Sequence, residues 1–197
     1  NEDRSVIVLS PPIEHPYNER KIVLMSGLSD PESCHLSIEQ ISFLEKLNVT
    51  PQERILTNFP YLKEPQAEHQ KTSLLKASLN NGRQYLSAGK PPYKESAIRH
   101  WQALVESCEE LIVVTLSCGL EIFNVCCSTG IQPAKLKVLA LGPVARKRPI
   151  VPHQLVRGSR DFVSLPFFPK VDMILPKVGH MNYLESETVL QLVQELL

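Results

Sequence analysis

The sequence has no surplus of charge of either sign, with 21 Lys and Arg set against 21 Asp and Glu. Binding to DNA or RNA rests on a positive surface that neutralises phosphates, so this balance argues against a nucleic-acid partner. One dense basic cluster exists, Arg146-Lys147-Arg148. It reads as a solvated loop, with contact to an anionic part of a substrate as the other reading. No apolar run approaches the about 20 residues that a membrane-spanning helix needs, so no membrane span is expected. Missing too is the even cysteine count of a secreted disulfide framework. There are five, Cys34, Cys108, Cys118, Cys126 and Cys127, two of them adjacent. No Cys-x-x-Cys pair and no zinc-like His/Cys spacing occurs. A reducing, cytoplasmic setting is expected, with neither metal nor cofactor. No signal-peptide pattern stands at the start, although the chain opens on Asn1 and not on methionine, so that absence excludes little.

What is present is ample apolar material, 43% of 197 residues, enough to bury a real core in one domain spanning residues 1–197. Short β-rich runs lie at 5–9, 21–25, 54–58, 111–116, 136–141, 153–157 and 171–175. Several are continuously apolar, such as Ile22-Val23-Leu24-Met25 and Leu111-Ile112-Val113-Val114. Strands of that kind belong to a sheet covered on both faces, which is the parallel arrangement. Between them, helical spacing marks 37–47, with Ser37 as N-cap, then 96–109, 120–127 and 187–197. The alternation predicts an α/β fold: a mostly parallel, doubly wound sheet of about six to seven strands with helices on both faces. Residues 59–93 break the rhythm with Pro60, Pro65, Pro91, Pro92, an Asn80-Asn81-Gly82 turn and a predicted helix at 71–79. So long a connection is expected to be a lid-like excursion over one end of the sheet.

The most informative segment is Leu111-Ile112-Val113-Val114-Thr115-Leu116-Ser117-Cys118-Gly119. An apolar strand runs into a serine, and a helix begins directly after it. Such a turn projects the hydroxyl from the carboxyl edge of the sheet and aims the next backbone N–H at a developing oxyanion. Small residues are needed two before and two after the serine. Gly119 meets the second need, while Thr115 stands at the first. On its own, Ser117 could equally be an N-cap opening an ordinary helix.

Downstream, an apolar strand ends in Gly158-Ser159-Arg160-Asp161-Phe162-Val163, and another is followed by Val178-Gly179-His180-Met181 before the final helix. Asp161 alone reads as a turn residue and His180 alone as a satisfied loop histidine. In the order Ser, Asp, His, each after a strand, the three together resemble the α/β-hydrolase family, with Thr115-Leu116-Ser117-Cys118-Gly119 similar to its Gly-x-Ser-x-Gly nucleophile elbow.

That resemblance implies a serine hydrolase of carboxylesterase or thioesterase type acting on a small acyl substrate. Ser117 would be the nucleophile, His180 the base and Asp161 the acid that orients it. The oxyanion hole would use the N–H groups of Cys118 and, after the first apolar strand, Leu28, with Gly27 second. The Ser26-Gly27-Leu28-Ser29 turn is similar to the family's His-Gly turn with serine in place of histidine. Gly27, Phe162, Phe167, Phe168 and Met181 are expected to line the substrate site, the phenylalanines as an apolar wall. The short stretch between Ser117 and Asp161 leaves no room for a large cap. Cys118 as nucleophile would place Leu116 and Leu120 at the crowded positions, and Asp172 begins a strand, the wrong place for the acid. Trp101, Cys126 and Cys127 read as core residues. The departures at Thr115 and Ser26 keep a second class open, a catalytically inactive hydrolase-like binding protein.

Overall fold

The computed structural model describes residues 14–26, 35–57, 59 and 91–197. Its centre is a five-stranded sheet: β1 (Arg20–Ser26), β2 (Glu110–Leu116), β3 (Lys135–Leu141), β4 (Gln154–Gly158) and β5 (Met173–Leu175). All neighbours pair in parallel, in the order β1-β2-β3-β4-β5. Among the described residues, four helices accompany them: α1 (Ile38–Glu45), α2 (Pro91–Val105), α3 (Gly119–Cys126) and α4 (Glu187–Leu196). Among the described residues, no helix is long and apolar enough to cross a membrane.

The apolar runs become strands because both faces of the sheet are covered. Val23, Met25, Val113, Ala140 and Leu155 pack on one face with Trp101, Leu104 and Phe123 of α2 and α3. Ile22, Leu24, Val114, Leu141 and Val156 pack on the other with Phe43, Val189 and Val193 of α1 and α4. Strands added in one direction by right-handed crossovers place their connecting helices on one face, which accounts for α2 and α3 sharing a side. The opposite face is closed by α1 and by α4 folding back. Trp101 and Cys126 are fully buried, as core residues should be.

Three expectations are corrected. Among the described residues the sheet has five strands and not six to seven, and their order shows no reversal of direction. Of the two missing strands, residues 5–9 lie outside the described residues. Residues 54–57 make one parallel bridge, Arg54 to Ile22, and one antiparallel bridge, Thr57 to His35. The chain leaves the short 3-10 turn Pro51–Glu53, touches β1 once and turns away; residue 58 is outside the described residues. Finally, α2 starts at Pro91 and not at 96. Prolines suit a first helical turn, whose N–H groups have no intrahelical acceptor, so Pro91-Pro92 opens the helix where it was expected to close the excursion. The predicted helix at 71–79 lies outside the described residues. At α1 the cap is as expected: Ser37 Oγ accepts from Gln40 N, and Gln40 Oε1 accepts from Ser37 N.

Candidate active site

Ser117 follows β2 with a left-handed backbone, φ 54°. That conformation is uncommon outside glycine and persists only where neighbours enforce it. Here they do. The Ser117 N–H donates to Leu141 O at 3.1 Å, and its carbonyl accepts from Leu120 N and Val144 N at 3.3 and 3.1 Å. Helix α3 then presses so closely on β1 that a Cβ on Gly119 would stand 1.9 Å from Met25 O. Glycine two residues after the serine is thus a steric requirement. Two residues before it, Thr115 pairs across the sheet with Met25 and Ala140, and the small Ala140 leaves space for its side chain.

The other two groups arrive from the ends of β4 and β5. A Cβ on Gly158 would meet Val178 O at 2.1 Å, so glycine lets the two loops touch. Arg160 N donates to Val178 O at 2.9 Å, Ser159 N to Leu175 O at 2.8 Å, and Lys177 N to Ser159 Oγ at 2.9 Å. Gly179 N donates to Asn182 Oδ1 at 2.7 Å, closing the turn that bears the histidine. Stapled in this way, the loops set His180 Nδ1 3.0 Å from both carboxylate oxygens of Asp161 and its Nε2 2.9 Å from Ser117 Oγ.

Asp161 has no exposed side-chain surface, and His180 has little. Burial alone would raise the carboxyl. Hydrogen bonds from His180, Tyr183 and the Ser164 main chain outweigh it and hold Asp161 well below the usual carboxylate range. An ionised carboxylate only accepts, so Nδ1 must be the donor and Nε2 keeps its lone pair for the serine proton. The tautomer therefore follows from the burial of one charge.

Tyr183 has no counterpart among the sequence expectations. Its hydroxyl donates to Asp161 Oδ2 at 2.6 Å and accepts from Gly158 N at 2.8 Å. It ties the acid to the strand end, under Gly142, where a Cβ would stand 2.7 Å from the tyrosine ring. Burial first, then the bond to Asp161, push the phenol up, so it stays a donor. A tyrosine three residues after the histidine is the sole trace in the sequence, and its partner lies 22 residues away.

The remaining site residues divide. Phe162 and Met181 are each 74% exposed and Phe167 is 40% exposed. The first two adjoin Asp161 and His180 in the chain. Phe168 is corrected: it is buried in the core with Trp101 and Ala145, and its carbonyl accepts from Arg157 Nη1 at 2.6 Å. The tight turn 164–168 sends consecutive phenylalanines to opposite sides. Phe168→Leu is expected to lower stability by about 1 kcal/mol without altering preference among acyl chain lengths, measurable by urea unfolding and an ester series. Leu28 and Gly27 lie outside the described residues; the strand that leads to them ends at Ser26, whose Cα is beside Gly119.

The Cys118 thiol is buried and pushed up to about 12, chiefly by desolvation, which leaves it protonated and unfit as a nucleophile. Asp172 sits below β5 at the other end of its strand, accepting from Leu155 N and pairing with Arg148 at 3.4 Å. Arg146, Lys147 and Arg148 are exposed, with Arg146 3.4 Å from Glu121. Among the described residues, no cluster of acidic, histidine or cysteine side chains could hold a metal ion.

No protein-family profile and no curated protein matches the chain. Fifteen solved chains do. One of them, the crystal structure of esterase PE8, is 14% identical with a TM-score of 0.51, over 95% of this chain and 94% of that one. The likeness is one of fold alone, an α/β architecture around a parallel sheet.

Proposed function

We propose that the protein is a serine hydrolase that cleaves an ester or thioester through an acyl-enzyme intermediate. The observation that carries this reading is the continuous hydrogen-bonded chain from Ser117 Oγ through His180 to Asp161, starting at a serine held with positive φ. His180 Nε2 takes the Ser117 proton as Oγ attacks the carbonyl carbon. Asp161 stabilises the imidazolium, which then protonates the leaving group. Water repeats the sequence and releases the acid. The Cys118 N–H, directly after the nucleophile, is the proposed first donor to the oxyanion, and Leu28 the proposed second. The fold shared with a solved esterase agrees with this chemistry.

An apolar acyl or alkyl group is the favoured substrate part, because Phe162, Phe167 and Met181 offer apolar surface that no core covers. A fluorophosphonate probe tests the reading. Wild type is expected to label, and Ser117→Ala to lose all label; a folded wild type that never labels would instead make the chain a hydrolase-like binding protein. Tyr183 is proposed as a positioning residue for Asp161. Tyr183→Phe keeps the ring but removes the donor, and kcat is expected to fall about tenfold with KM unchanged. An unchanged kcat in steady-state ester hydrolysis would remove Tyr183 from the scheme.

A further inference from the structure

At the opposite end of the sheet lies a second cluster that the proposed chemistry does not use. Lys21, the second residue of β1, is 2% exposed. Lysines are almost never buried so fully without an acidic partner. Its ammonium donates only to neutral oxygens, Pro16 O at 2.5 Å and Ser107 Oγ at 2.7 Å, which leaves one of three N–H bonds unused. Cys108 beside it supplies no counter-charge. Burial pushes that thiol up despite the lysine, while burial also lowers the ammonium below the usual lysine range.

Arg54, half-buried, also lacks an acidic partner among the described residues. Its Nη2 donates to Val49 O at 3.0 Å, but its Nε is buried with no partner. None of the ion pairs among the described residues involves Lys21 or Arg54. His15 adds a third group, its Nε2 likewise buried and unpartnered. Burial, then Lys21 and His100, hold the His15 ring down to about 4, so it is neutral at neutral pH and can still donate one hydrogen bond. Lys21, Arg54 and His15 line one cavity of about 380 Å³, whose walls also include Tyr17, Ile55 and Leu56. That volume falls within the range of small-molecule sites.

We propose that this cavity binds a small organic anion, its carboxylate or phosphate held by Lys21 and Arg54 and its apolar part against Tyr17, Ile55 and Leu56. A buried ammonium beside a half-buried guanidinium, with no acid paired to either, is costly in the empty protein, and an oxyanion in the cavity offers the missing charge. The site is separate from the serine centre. Lys21 stands five residues before Ser26, about 16 Å along the strand at roughly 3.3 Å per residue, so the anion is a regulator or stabiliser and not the substrate in its reactive pose.

Thermal melting in Ser117→Ala protein, at constant ionic strength, tests the site without reference to hydrolysis. Phenyl phosphate or benzoate, added to about ten times its dissociation constant, is expected to raise Tm by about 3 °C, with a further rise that follows the logarithm of ligand concentration. Inorganic phosphate at the same concentration should do less, since it leaves the apolar wall bare, and whichever of the two organic ligands binds more tightly identifies the preferred head group. Lys21→Met and Arg54→Gln, each added to the Ser117→Ala background, should abolish the shift, and Lys21→Met should melt no lower than its parent in ligand-free buffer. If Lys21→Met fails to fold, Arg54→Gln decides. Absence of any shift, an equal response to inorganic phosphate, or a shift that survives both substitutions overturns the proposal.

Discussion

Asp161→Asn is expected to lower kcat for an ester substrate by about 10⁴-fold while the protein remains folded. The reason lies in what surrounds the carboxylate. Every partner is a donor: His180 Nδ1, the Tyr183 hydroxyl, and the N–H groups of Val163 and Ser164. A carboxylate accepts from all four, whereas an amide must turn its NH₂ toward one side. Facing the imidazole, that NH₂ makes Nδ1 the acceptor and puts the ring proton on Nε2, where it points at Ser117 and blocks proton abstraction. Facing Tyr183, it meets a hydroxyl whose acceptor site already serves Gly158 N. Neither choice restores the original pattern, and a variant retaining more than a tenth of wild-type kcat would contradict the assignment.

The same carboxyl gives a pH dependence whose sign is fixed. Its folded value lies below that of a free aspartate, so its contribution to stability is present above about pH 3.9 and is lost as pH falls from there toward the folded value. The urea midpoint of wild type should therefore drop as pH falls below about 4, and that of Asp161→Asn should drop less. Parallel curves for the two proteins would mean that the carboxylate is not held by its donors as the geometry has it.

Much of this was legible from the sequence because buried parallel strands leave little choice of residue. Ile22–Met25 and Leu111–Val114 are apolar without interruption since helices cover both faces. The run at 54–58 reads as a strand from Ile55, Leu56 and Thr57, yet such local preference does not report pairing, and the chain there bridges β1 only once. Positions 117, 161 and 180 were visible as residues following strands in a fixed order. Tyr183 was not, because its value depends on Asp161 and Gly158 meeting across two loops, a fact of three dimensions. Phe168 misled for a related reason: in a turn, adjacency to the exposed Phe167 says nothing about which ring faces inward.

The departure from glycine at Thr115 bears on the second large effect, expected for Gly119→Ala. A Cβ there would sit 1.9 Å from Met25 O, 2.5 Å from Met25 C and 3.0 Å from Ser26 Cα. All three are backbone atoms of a strand locked to β2, so no side chain can swing aside. Relief requires α3 to move by more than about 1 Å, and Ser117 is two residues from its start. A displacement of that size removes about 10²-fold from kcat by spoiling attack geometry, and the melting temperature should fall with it. Thr115 faces a different constraint. Its neighbours in register are side chains, one of them only Ala140, and its buried hydroxyl has no partner. Thr115→Val, of nearly the same shape, should thus keep activity and raise stability by about 1 kcal/mol. The two variants together separate the side of the elbow where backbone crowds the chain from the side where it does not. Should Gly119→Ala prove silent while Thr115→Val inactivates, the nucleophile would not be held in the turn described.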